Sequence, residues 1–420
     1  MFKSGYVVIA PDKFKGSLTA AEVATRVAAG LGPGVDAVVL PVADGGDGTV
    51  DAVVACGFTR VEVEVTGPVG EPVTAAYAWR DARAEGEVPT AVVELAEASG
   101  LRRLPATPSP APGTTGPAEA AAGPAGEPGS PAHRGVALAP LTATSRGAGE
   151  LIAHALRRGA RRVVLGLGGS ACTDGGSGMM GALGVRFLDA SGQELPPGGA
   201  ALRDLERIDV SGLVPLDGVE FVVAGDVDNP LLGPNGAAAV YGPQKGASPQ
   251  DVRTLDAALA RLAAVAAHTH GLVGAVEHDG VVRAMGVAGQ PGAGAAGGVG
   301  FAALAFLSAG FRPGIDYLLD LLGFRDRLAG ARLVITGEGS LDEQTLRGKA
   351  PAGVAAAAAE AGVPVVAVCG RRTLGDAELA AAGITAAYAL TDIEPDPAVC
   401  MAKAGPLLER LTGKIAENHL

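Results

Sequence analysis

Apolar runs of strand length alternate with helix-length runs near both ends of the chain. "YVVIAPD" (residues 6–12) is an apolar run that ends in Pro-Asp. "SLTAAEVATRVAAGLG" follows it with helical spacing, with Ser17 in the capping position and glycine at the end. The C-terminal part repeats this order with "ARLVITGEGS", "APAGVAAAAAEAG" and "PVVAVCG". Such continuous apolar strands separated by helices predict a parallel sheet covered by helices on both faces.

The middle of the chain has a different pattern. "RVEVEVTGPVGEPVTAAYAWR" and "AVVELAEASGL" alternate with a two-residue period, which predicts antiparallel, half-exposed strands. We therefore predict an α/β fold with two domains. A flavodoxin-like or Rossmann-like open parallel sheet is formed from both termini, residues 1–64 plus 297–420. A mixed α/β domain, residues 65–296, is inserted between them.

Composition and charge exclude several classes of protein. The 420 residues are 48% hydrophobic, which excludes global disorder, and the net charge of −12 argues against a nucleic-acid-binding protein. The four cysteines show no CxxC spacing, and the N-terminal segment lacks the apolar core of a signal peptide. Residues 285–311 carry no charge, but glycines and a proline interrupt them, which predicts a loop and a buried helix rather than a membrane span. We expect a cytoplasmic protein with reduced thiols.

Acidic and lysine side chains follow several of the predicted strands. They are Asp12, Lys13 and Lys15 after the first strand, Asp44 and Asp47 in "PVADGGDGT" after the second, and Glu338, Asp342 and Lys349 after a later one. Taken singly, an Asp-Gly pair forms an ordinary turn and a lysine is solvated. Because the carboxyl ends of parallel strands meet at one edge of a sheet, their recurrence predicts a site for a polyanion with Mg²⁺.

Two further loops carry polar groups suited to binding. Residues 163–184, "VVLGLGGSACTDGGSGMMGALG", predict a strand, a glycine-rich loop and a helix. The donors offered to an anion there are Gly168, Gly169, Ser170 and Thr173. Asp174 is a candidate general base or metal ligand, with a helix-capping aspartate as the alternative. In residues 222–248, Asp226, Asn229 and Lys245 indicate either substrate binding or an ordinary surface loop.

The segment "PGAGAAGG" contains a GxGxxG pattern at Gly292, Gly294 and Gly297. A dinucleotide-binding fingerprint requires a strand directly before the first glycine, but Gln290 and Pro291 stand there. The pattern therefore favours a phosphate-binding loop before the helix "VGFAALAFL". An NAD-dependent oxidoreductase acting on a small hydroxy acid remains the alternative.

Taken in chain order, these motifs resemble those of the bacterial type I glycerate kinase family from residue 7 to about residue 390. They are "APDKFKGSLTA", "PVADGGDGTV", "TSRGAGEL", "GLGGSACTDGG", "DVDNPLLGPNGA", "GPQKGA", "PGAGAAGG" and "TGEGSLDEQTLRGKAP". The resemblance implies ATP-dependent phosphorylation of D-glycerate with Mg²⁺, usually giving 2-phosphoglycerate, in a cleft between two α/β domains. The sequence departs from the family pattern at Cys172, where relatives more often carry threonine. It also departs at residues 105–135, a Pro-, Ala- and Gly-rich insertion that we expect to be disordered.

The kinase hypothesis predicts three groups of site residues. The candidate catalytic residues are Lys15, Asp44, Asp174 and Lys349, and the candidate metal ligands are Asp47, Glu338 and Asp342. The candidate substrate- and phosphate-binding residues are Asp12, Ser145, Arg146, Gly168, Gly169, Ser170, Thr173, Asp226, Asn229, Lys245, Gly292, Gly294 and Gly297. ATP and D-glycerate are the expected partners, without nucleic acid or membrane. A metabolite sensor that keeps the cleft without turnover is a further hypothesis.

Overall fold

The computed structural model describes residues 5–106, 137–270, 276–278, 281–283 and 286–420. Of the predicted insertion, residues 107–135 lie outside the described residues. The strands in chain order are β1 (Tyr6–Pro11), β2 (Ala37–Val39), β3 (Thr59–Thr66), β4 (Pro72–Arg80), β5 (Thr90–Glu94), β6 (Arg162–Gly166), β7 (Arg186–Leu188), β8 (Arg207–Asp209), β9 (Glu220–Ala224), β10 (Val276–His278), β11 (Val281–Arg283), β12 (Gly310–Arg312), β13 (Ala331–Leu341), β14 (Val365–Arg372) and β15 (Ala386–Ala389).

The helices lie between these strands and after the last one. They are α1 (Ala20–Leu31), α2 (Thr49–Ala55), α3 (Leu95–Ser99), α4 (Arg146–Arg157), α5 (Ser177–Ala182), α6 (Ala237–Tyr241), α7 (Pro249–His270), α8 (Ala295–Phe306), α9 (Gly314–Leu321), α10 (Ala350–Glu360), α11 (Asp376–Ala381), α12 (Pro397–Ala402) and α13 (Ala404–His419).

Helix α1 begins two residues later than its sequence pattern predicts. Thr19, not Ser17, is the N-cap: its side chain accepts from the N–H of Glu22, and the Glu22 carboxylate accepts from the N–H of Thr19. This reciprocal pair satisfies two otherwise unpaired backbone donors. The hydroxyl of Ser17 instead donates to the carbonyl of Phe14 in the preceding turn.

The terminal sheet, defined here as strands β15-β14-β13-β1-β2 in spatial order, is formed from both ends of the chain. All of its neighbouring strands run parallel. Val7 and Ile9 of β1 face α1 and α13, whereas Val8 and Ala10 face α9 and α10. Both faces are therefore covered, which confirms the predicted parallel sheet and explains its continuous apolar strands.

The central sheet, defined as strands β12-β9-β6-β5-β4-β3, is mixed. Strands β12, β9, β6 and β5 are parallel, and β4 and β3 add antiparallel strands at one edge. The hairpin β3–β4 confirms the predicted antiparallel pairing, and β3 is half-exposed, but residues 75–79 of β4 are all buried, so the prediction of half-exposure is wrong there. The prediction of a half-exposed strand at "AVVEL" is wrong, because β5 lies between two strands, is buried along its whole length and continues into α3.

Sheet membership does not follow the predicted division of the chain. Strand β3 begins at Thr59 and β12 ends at Arg312, and both belong to the central sheet. By this criterion the first segment of the terminal unit ends before Thr59 and the second begins after Arg312. The domain boundaries at residues 64 and 297 stay a prediction.

The apolar segment near residue 300 forms the buried helix that its length predicts. Helix α8 is kinked at its start, where Ala296, Gly297 and Gly298 have positive φ values. The regular helix that follows packs Val299, Phe301 and Ala302 into the core beside the central sheet. In the described part of the chain, no helix combines the length and the apolarity needed to cross a membrane.

The two sheets meet through glycine-rich loops at their carboxyl edges. A Cβ atom added to Gly45, after β2, would lie 2.3 Å from the carbonyl oxygen of Ala224, the last residue of β9. A Cβ atom added to Gly314 would lie 1.9 Å from the carbonyl oxygen of Asp44. These close approaches bring the strand ends of both sheets together around the "DGGDG" loop.

Gly45→Ala is expected to lower the free energy of unfolding by about 3 kcal/mol or more, because alanine at φ 86° is strained and its methyl group overlaps the Ala224 carbonyl. Gly57→Ala is the matched control, since Gly57 has φ 96° with nothing within 4 Å, and should lose only about 1–2 kcal/mol. Urea denaturation measures both variants, and equal losses would show that the contact between the sheets is not tight.

Candidate active site

Three carboxyl groups converge at the carboxyl edge of the terminal sheet. Asp12 follows β1 and is only 9% exposed, and Glu338 lies in the neighbouring strand β13. Burial, with the negative charges of Asp44 and Glu338, raises the pKa of Asp12 to about 7, although Lys13 opposes the shift. Asp12, Asp44 and Glu338 therefore form one acidic cluster, as the strand-end argument predicts.

The central sheet adds a fourth carboxyl group. Asp226 follows β9 and stands at an exposed rim, where its Oδ1 accepts from the backbone N–H of Gly314 at 3.0 Å. Burial of part of its carboxyl group, assisted by Asp44, raises the pKa of Asp226 to about 6. A Cβ atom on Gly348, in the loop before α10, would lie 3.7 Å from its Cγ. Loops of both sheets thus border the same acidic region.

Lys13 lies inside this acidic region. Its ammonium group donates to the backbone carbonyl of Asp47 in the "DGGDG" loop. Burial lowers the pKa of Lys13, but the opposing charges of four acids outweigh it and raise the value above its usual range. Those acids are Asp12, Asp44, Asp47 and Glu94. Lys13 follows the first strand in the sequence, but its position there predicts no role for it.

Two charged residues that no sequence motif predicts contact the "DGGDG" loop. Glu94, at the end of β5, is fully buried, and its Oε2 accepts from the N–H groups of Gly48 at 3.1 Å and Val50 at 3.2 Å. Arg102 contacts Glu94 Oε1 at 3.3 Å and Asp47 Oδ1 at 2.6 Å. A glutamate at the end of the otherwise apolar strand "TAVVE" is the signal that was available.

Glu338 connects the acidic cluster to the start of α10. Its Oε1 accepts from the hydroxyl of Thr345 at 2.5 Å, and its Oε2 lies 3.5 Å from Nζ of Lys349. Asp342 accepts from the hydroxyl of Ser340 at 3.1 Å. The predicted residues Glu338, Asp342 and Lys349 are therefore brought together. Burial raises the pKa of Glu338.

Lys15 and the glycine-rich loop after β6 lie next to this region. The side chain of Lys15 is exposed, and a Cβ atom on Gly339 of β13 would lie 3.3 Å from its backbone nitrogen. A Cβ atom on Gly168 would lie 2.6 Å from the Cα of Gly46, and one on Gly169 would lie 3.7 Å from the Cβ of Asp47. The loop after β6 therefore stacks directly on the "DGGDG" loop, which only glycines allow.

Asp174 and Ser145 belong to a different, buried group. Asp174 Oδ2 accepts from the N–H and the hydroxyl of Ser145, both at 2.8 Å, and its Oδ1 accepts from the N–H of Gly176 at 3.0 Å. Both side chains are fully buried. This geometry supports the helix-capping alternative for Asp174. Within the described ranges, no hydrogen bond or ion pair joins either side chain to the acidic cluster.

Other predicted binding residues are buried or pair with side chains and carbonyls outside the acidic cluster. Lys245 is 1% exposed and donates to the carbonyl of Cys172 at 2.5 Å, and its burial lowers its pKa. Thr173 is fully buried, and Arg146 pairs with Glu150 at 3.0 Å on the surface. Among the remaining candidates, Ser170 is 6% exposed, and Asn229 accepts from the Tyr241 hydroxyl at 2.5 Å.

Asp174→Asn is expected to lower the free energy of unfolding by about 2–4 kcal/mol, because one amide oxygen replaces two carboxylate oxygens that receive several buried donors. Chemical denaturation measures the loss, with the exposed Asp36→Asn as a control. Normal stability with lost turnover would contradict the capping role and favour catalysis.

The glycines of "PGAGAAGG" pack against other loops. Cβ atoms on Gly294 and Gly297 would lie 2.2 Å from the carbonyl oxygen of Pro230 and 2.3 Å from that of Cys172. A short 3₁₀ turn, Gly286–Gly289, precedes them instead of a strand. The predicted phosphate-binding role of Gly292, Gly294 and Gly297 is untested. The dinucleotide alternative is not supported, because the required strand–turn–helix is absent from this described segment.

The acids do not form a metal cage made of protein ligands alone. In the part of the chain that the structure describes, no three His, Cys, Asp or Glu side chains are grouped to hold a metal ion. Asp47 faces Arg102, and Glu338 faces Thr345 and Lys349. Among the described residues, no cationic side chain is bonded to the carboxylates of Asp12 and Asp44. Such a site suits a cation that arrives with a phosphate-bearing ligand, because Mg²⁺ uses one or two carboxylates together with phosphates and water.

Comparison with known proteins identifies the family. A family profile described as "Glycerate kinase family" matches residues 7–122 and 125–420. The glycerate kinase of Bacillus subtilis (strain 168) is 43% identical over 369 residues, which are 87% of this chain and 84% of the relative. The glycerate 2-kinase of Escherichia coli (strain K12) is 41% identical over 373 residues, 87% of this chain and 85% of the relative.

A solved structure agrees with the sequence matches. The crystal structure of a Salmonella typhimurium LT2 protein assigned as glycerate kinase 2 has a TM-score of 0.77 and 38% identity, covering 99% of this chain and 98% of that one. The resemblance predicted from the ordered motifs is confirmed. Because the matches span nearly the whole length of both sequences, the chain belongs to the glycerate kinase family of enzymes.

Proposed function

We propose that the protein phosphorylates D-glycerate with ATP and Mg²⁺, giving 2-phosphoglycerate, in the region bordered by the carboxyl edges of the two sheets. The observation that carries the proposal is the meeting of Asp12, Asp44 and Glu338 with lysines and stacked glycine loops at one place. Phosphoryl transfer requires mainly positioning and charge stabilisation, which such a group supplies. The named relatives from Bacillus subtilis and Escherichia coli support the choice of glycerate.

Asp12 is the group we propose as general base. A base operates best when its pKa is near the working pH, and burial together with Asp44 and Glu338 raises the pKa of Asp12 to about 7. Its carboxylate would accept the proton of the reacting hydroxyl of glycerate. This assignment replaces Asp174, whose oxygens are already occupied by buried donors.

Asp44 and Glu338 are the carboxylates that we propose to hold Mg²⁺. The fit rests on the mutual repulsion of the cluster: buried acids that raise the pKa of Asp12 gain from a nearby cation. When bound, Mg²⁺ neutralises charge on the phosphates of ATP. Asp47 is paired with Arg102, and neither Asp47 nor Asp342 is among the charges that raise the pKa of Asp12, so we place both outside this pair.

Lysines and a helix start would receive the phosphates. Lys349 stands at the N-cap of α10, and no side chain caps that helix. The helix dipole favours an anion there and the lysine adds a positive charge, although Pro351 has no N–H and the N–H groups of Ala352 and Gly353 bond to the Lys349 carbonyl. Lys13 and the exposed Lys15 stand on the opposite loop, after β1.

The assay is incubation with ATP, Mg²⁺ and D-glycerate, with L-glycerate as the control. We expect formation of ADP and of a product whose ³¹P–¹H coupling in NMR places the phosphate on C2. Phosphate on C3 would contradict the proposed product while keeping the kinase. Absence of ADP formation above the background without glycerate would overturn the proposed function.

A further inference from the structure

Glu94 is a fully buried carboxylate that the proposed chemistry does not use. It is the last residue of β5, between β4 and β6, with Gly166 as its neighbour in the ladder. Burying a carboxylate is unfavourable unless its oxygens are paired. The hydrogen-bond partners of Glu94 therefore indicate the role of its side chain.

One oxygen of Glu94 binds the start of α2. Oε2 accepts from the N–H of Gly48 at 3.1 Å and from that of Val50 at 3.2 Å. Gly48 is the N-cap of α2 and has no side chain to satisfy the free N–H groups of the first turn. Glu94 thus supplies, from 46 residues away, the capping carboxylate that the helix lacks.

The other oxygen of Glu94 is connected to the same loop through Arg102. The guanidinium of Arg102 lies 3.3 Å from Glu94 Oε1 and 2.6 Å from Oδ1 of Asp47. Lys13 donates to the backbone carbonyl of Asp47. The loop of residues 44–48, which carries Asp44, is therefore attached to the central sheet by Glu94 and to β1 by Lys13.

We propose that Glu94 is a positioning residue for the phosphoryl transfer, which anchors the 44–48 loop so that Asp44 and Lys13 keep their places in the acidic region. Glu94 is not a catalytic residue, because it is inaccessible and both of its oxygens are occupied. The kinetic part of this inference rests on the proposed function, whereas the anchoring part does not.

Glu97 offers a matched control. It is also a buried carboxylate, 4% exposed, that pairs with Arg102, but its backbone partner is the N–H of Ala76 in β4. Glu97→Gln removes the same charge at the same arginine without a contact to the 44–48 loop. A general effect of losing a buried charge should therefore appear in both variants.

The test combines amide hydrogen exchange with kinetics on the full chain. In Glu94→Ala, exchange in the peptide spanning residues 44–55 is expected to become about tenfold faster than in Glu97→Gln, because two N–H groups lose their acceptor. The kcat is expected to fall about 100-fold, with KM for D-glycerate within about threefold, because a misplaced loop affects positioning more than binding. Glu94→Gln, which keeps one oxygen for these N–H groups, should recover much of both effects.

The outcomes separate this inference from the proposed function. If the unsubstituted protein does not phosphorylate glycerate, the proposed function fails, and the exchange measurement alone decides the anchoring. Exchange of residues 44–55 that is no faster in Glu94→Ala than in Glu97→Gln overturns the inference, as does an unchanged kcat. If Glu94→Ala does not fold, Glu94→Gln is compared with Glu97→Gln: exchange of residues 44–55 should still be faster in Glu94→Gln, because an amide oxygen accepts these N–H groups more weakly than a carboxylate, and exchange that is no faster overturns the inference.

Discussion

Asp12→Asn is expected to remove turnover and to stabilise the folded protein at pH 8. The kcat should fall by about 10²–10⁴-fold, because asparagine accepts no proton from the reacting hydroxyl. The free energy of unfolding at pH 8 should rise by about 1–3 kcal/mol, because the substitution removes a buried charge that is repelled by Asp44 and Glu338.

The sign of the pH dependence follows from the direction of the shift. The pKa of Asp12 is about 7 in the folded state and 3.8 as its ordinary value. Between these values the unfolded chain has lost the proton that the folded chain retains, so Asp12 lowers stability progressively as the pH rises from about 4 to about 7. Above pH 7 the loss is complete. The gain from Asp12→Asn should therefore be large at pH 8 and small at pH 4.

Urea denaturation at pH 4, 6 and 8 measures this gain. The exposed Asp36→Asn is the control for the same substitution outside the acidic cluster. In the unsubstituted protein, kcat/KM should rise up to about tenfold per pH unit and level off near pH 7. A stable Asp12→Asn variant with normal turnover would remove Asp12 as the base.

Lys13→Met is expected to lower kcat by about 10³-fold. The ammonium of Lys13 lies among four acids and holds the Asp47 carbonyl, so its loss leaves the acidic region without its internal cation and loosens the "DGGDG" loop. The phosphate of an incoming nucleotide would then meet uncompensated negative charge. Steady-state kinetics with ATP and D-glycerate measures the effect.

Lys15→Met is the comparison for Lys13, because the two lysines stand two positions apart on one loop. The exposed side chain of Lys15 predicts a smaller loss, about tenfold and mainly in KM for ATP. Equal losses in kcat for both variants would return Lys15 to the catalytic role that the motif resemblance implies. Lys13→Arg keeps the charge and provides a folded alternative if the methionine variant is unstable.

The terminal sheet was predictable because its strands are buried on both faces, so "YVVIAP" and "VVAVC" carry an unambiguous apolar pattern. The burial of strand β5 could not be predicted, because the alternation in "AVVEL" comes from Glu94. This polar side chain is buried in the protein, where it accepts from N–H groups at the start of α2. A two-residue period indicates an exposed face only where the polar residues are solvated.

The part of the site that could be predicted consists of side chains at the carboxyl ends of parallel strands, because these ends meet at one edge of the sheet. Asp12, Asp44 and Glu338 follow or end neighbouring parallel strands, and the structure brings them together. Asp174 follows a strand as well, but its own backbone turn and Ser145 take up its oxygens. Whether an acid faces a cleft or caps a turn depends on donors distant in sequence, which no local motif reveals.

The pairing of β1 with β13 has a consequence for how the chain matures. The hydroxyl of Thr336 donates to the carbonyl of Ala10, 326 residues earlier. On the ribosome, β1 therefore emerges long before its partner, whereas the strands β3 to β9 of the central sheet can pair while synthesis continues. The edge of β1 that pairs with β13 and the face that α9 and α10 cover lack these partners during that interval, so nascent-chain aggregation and chaperone capture are expected to concentrate at the N-terminus.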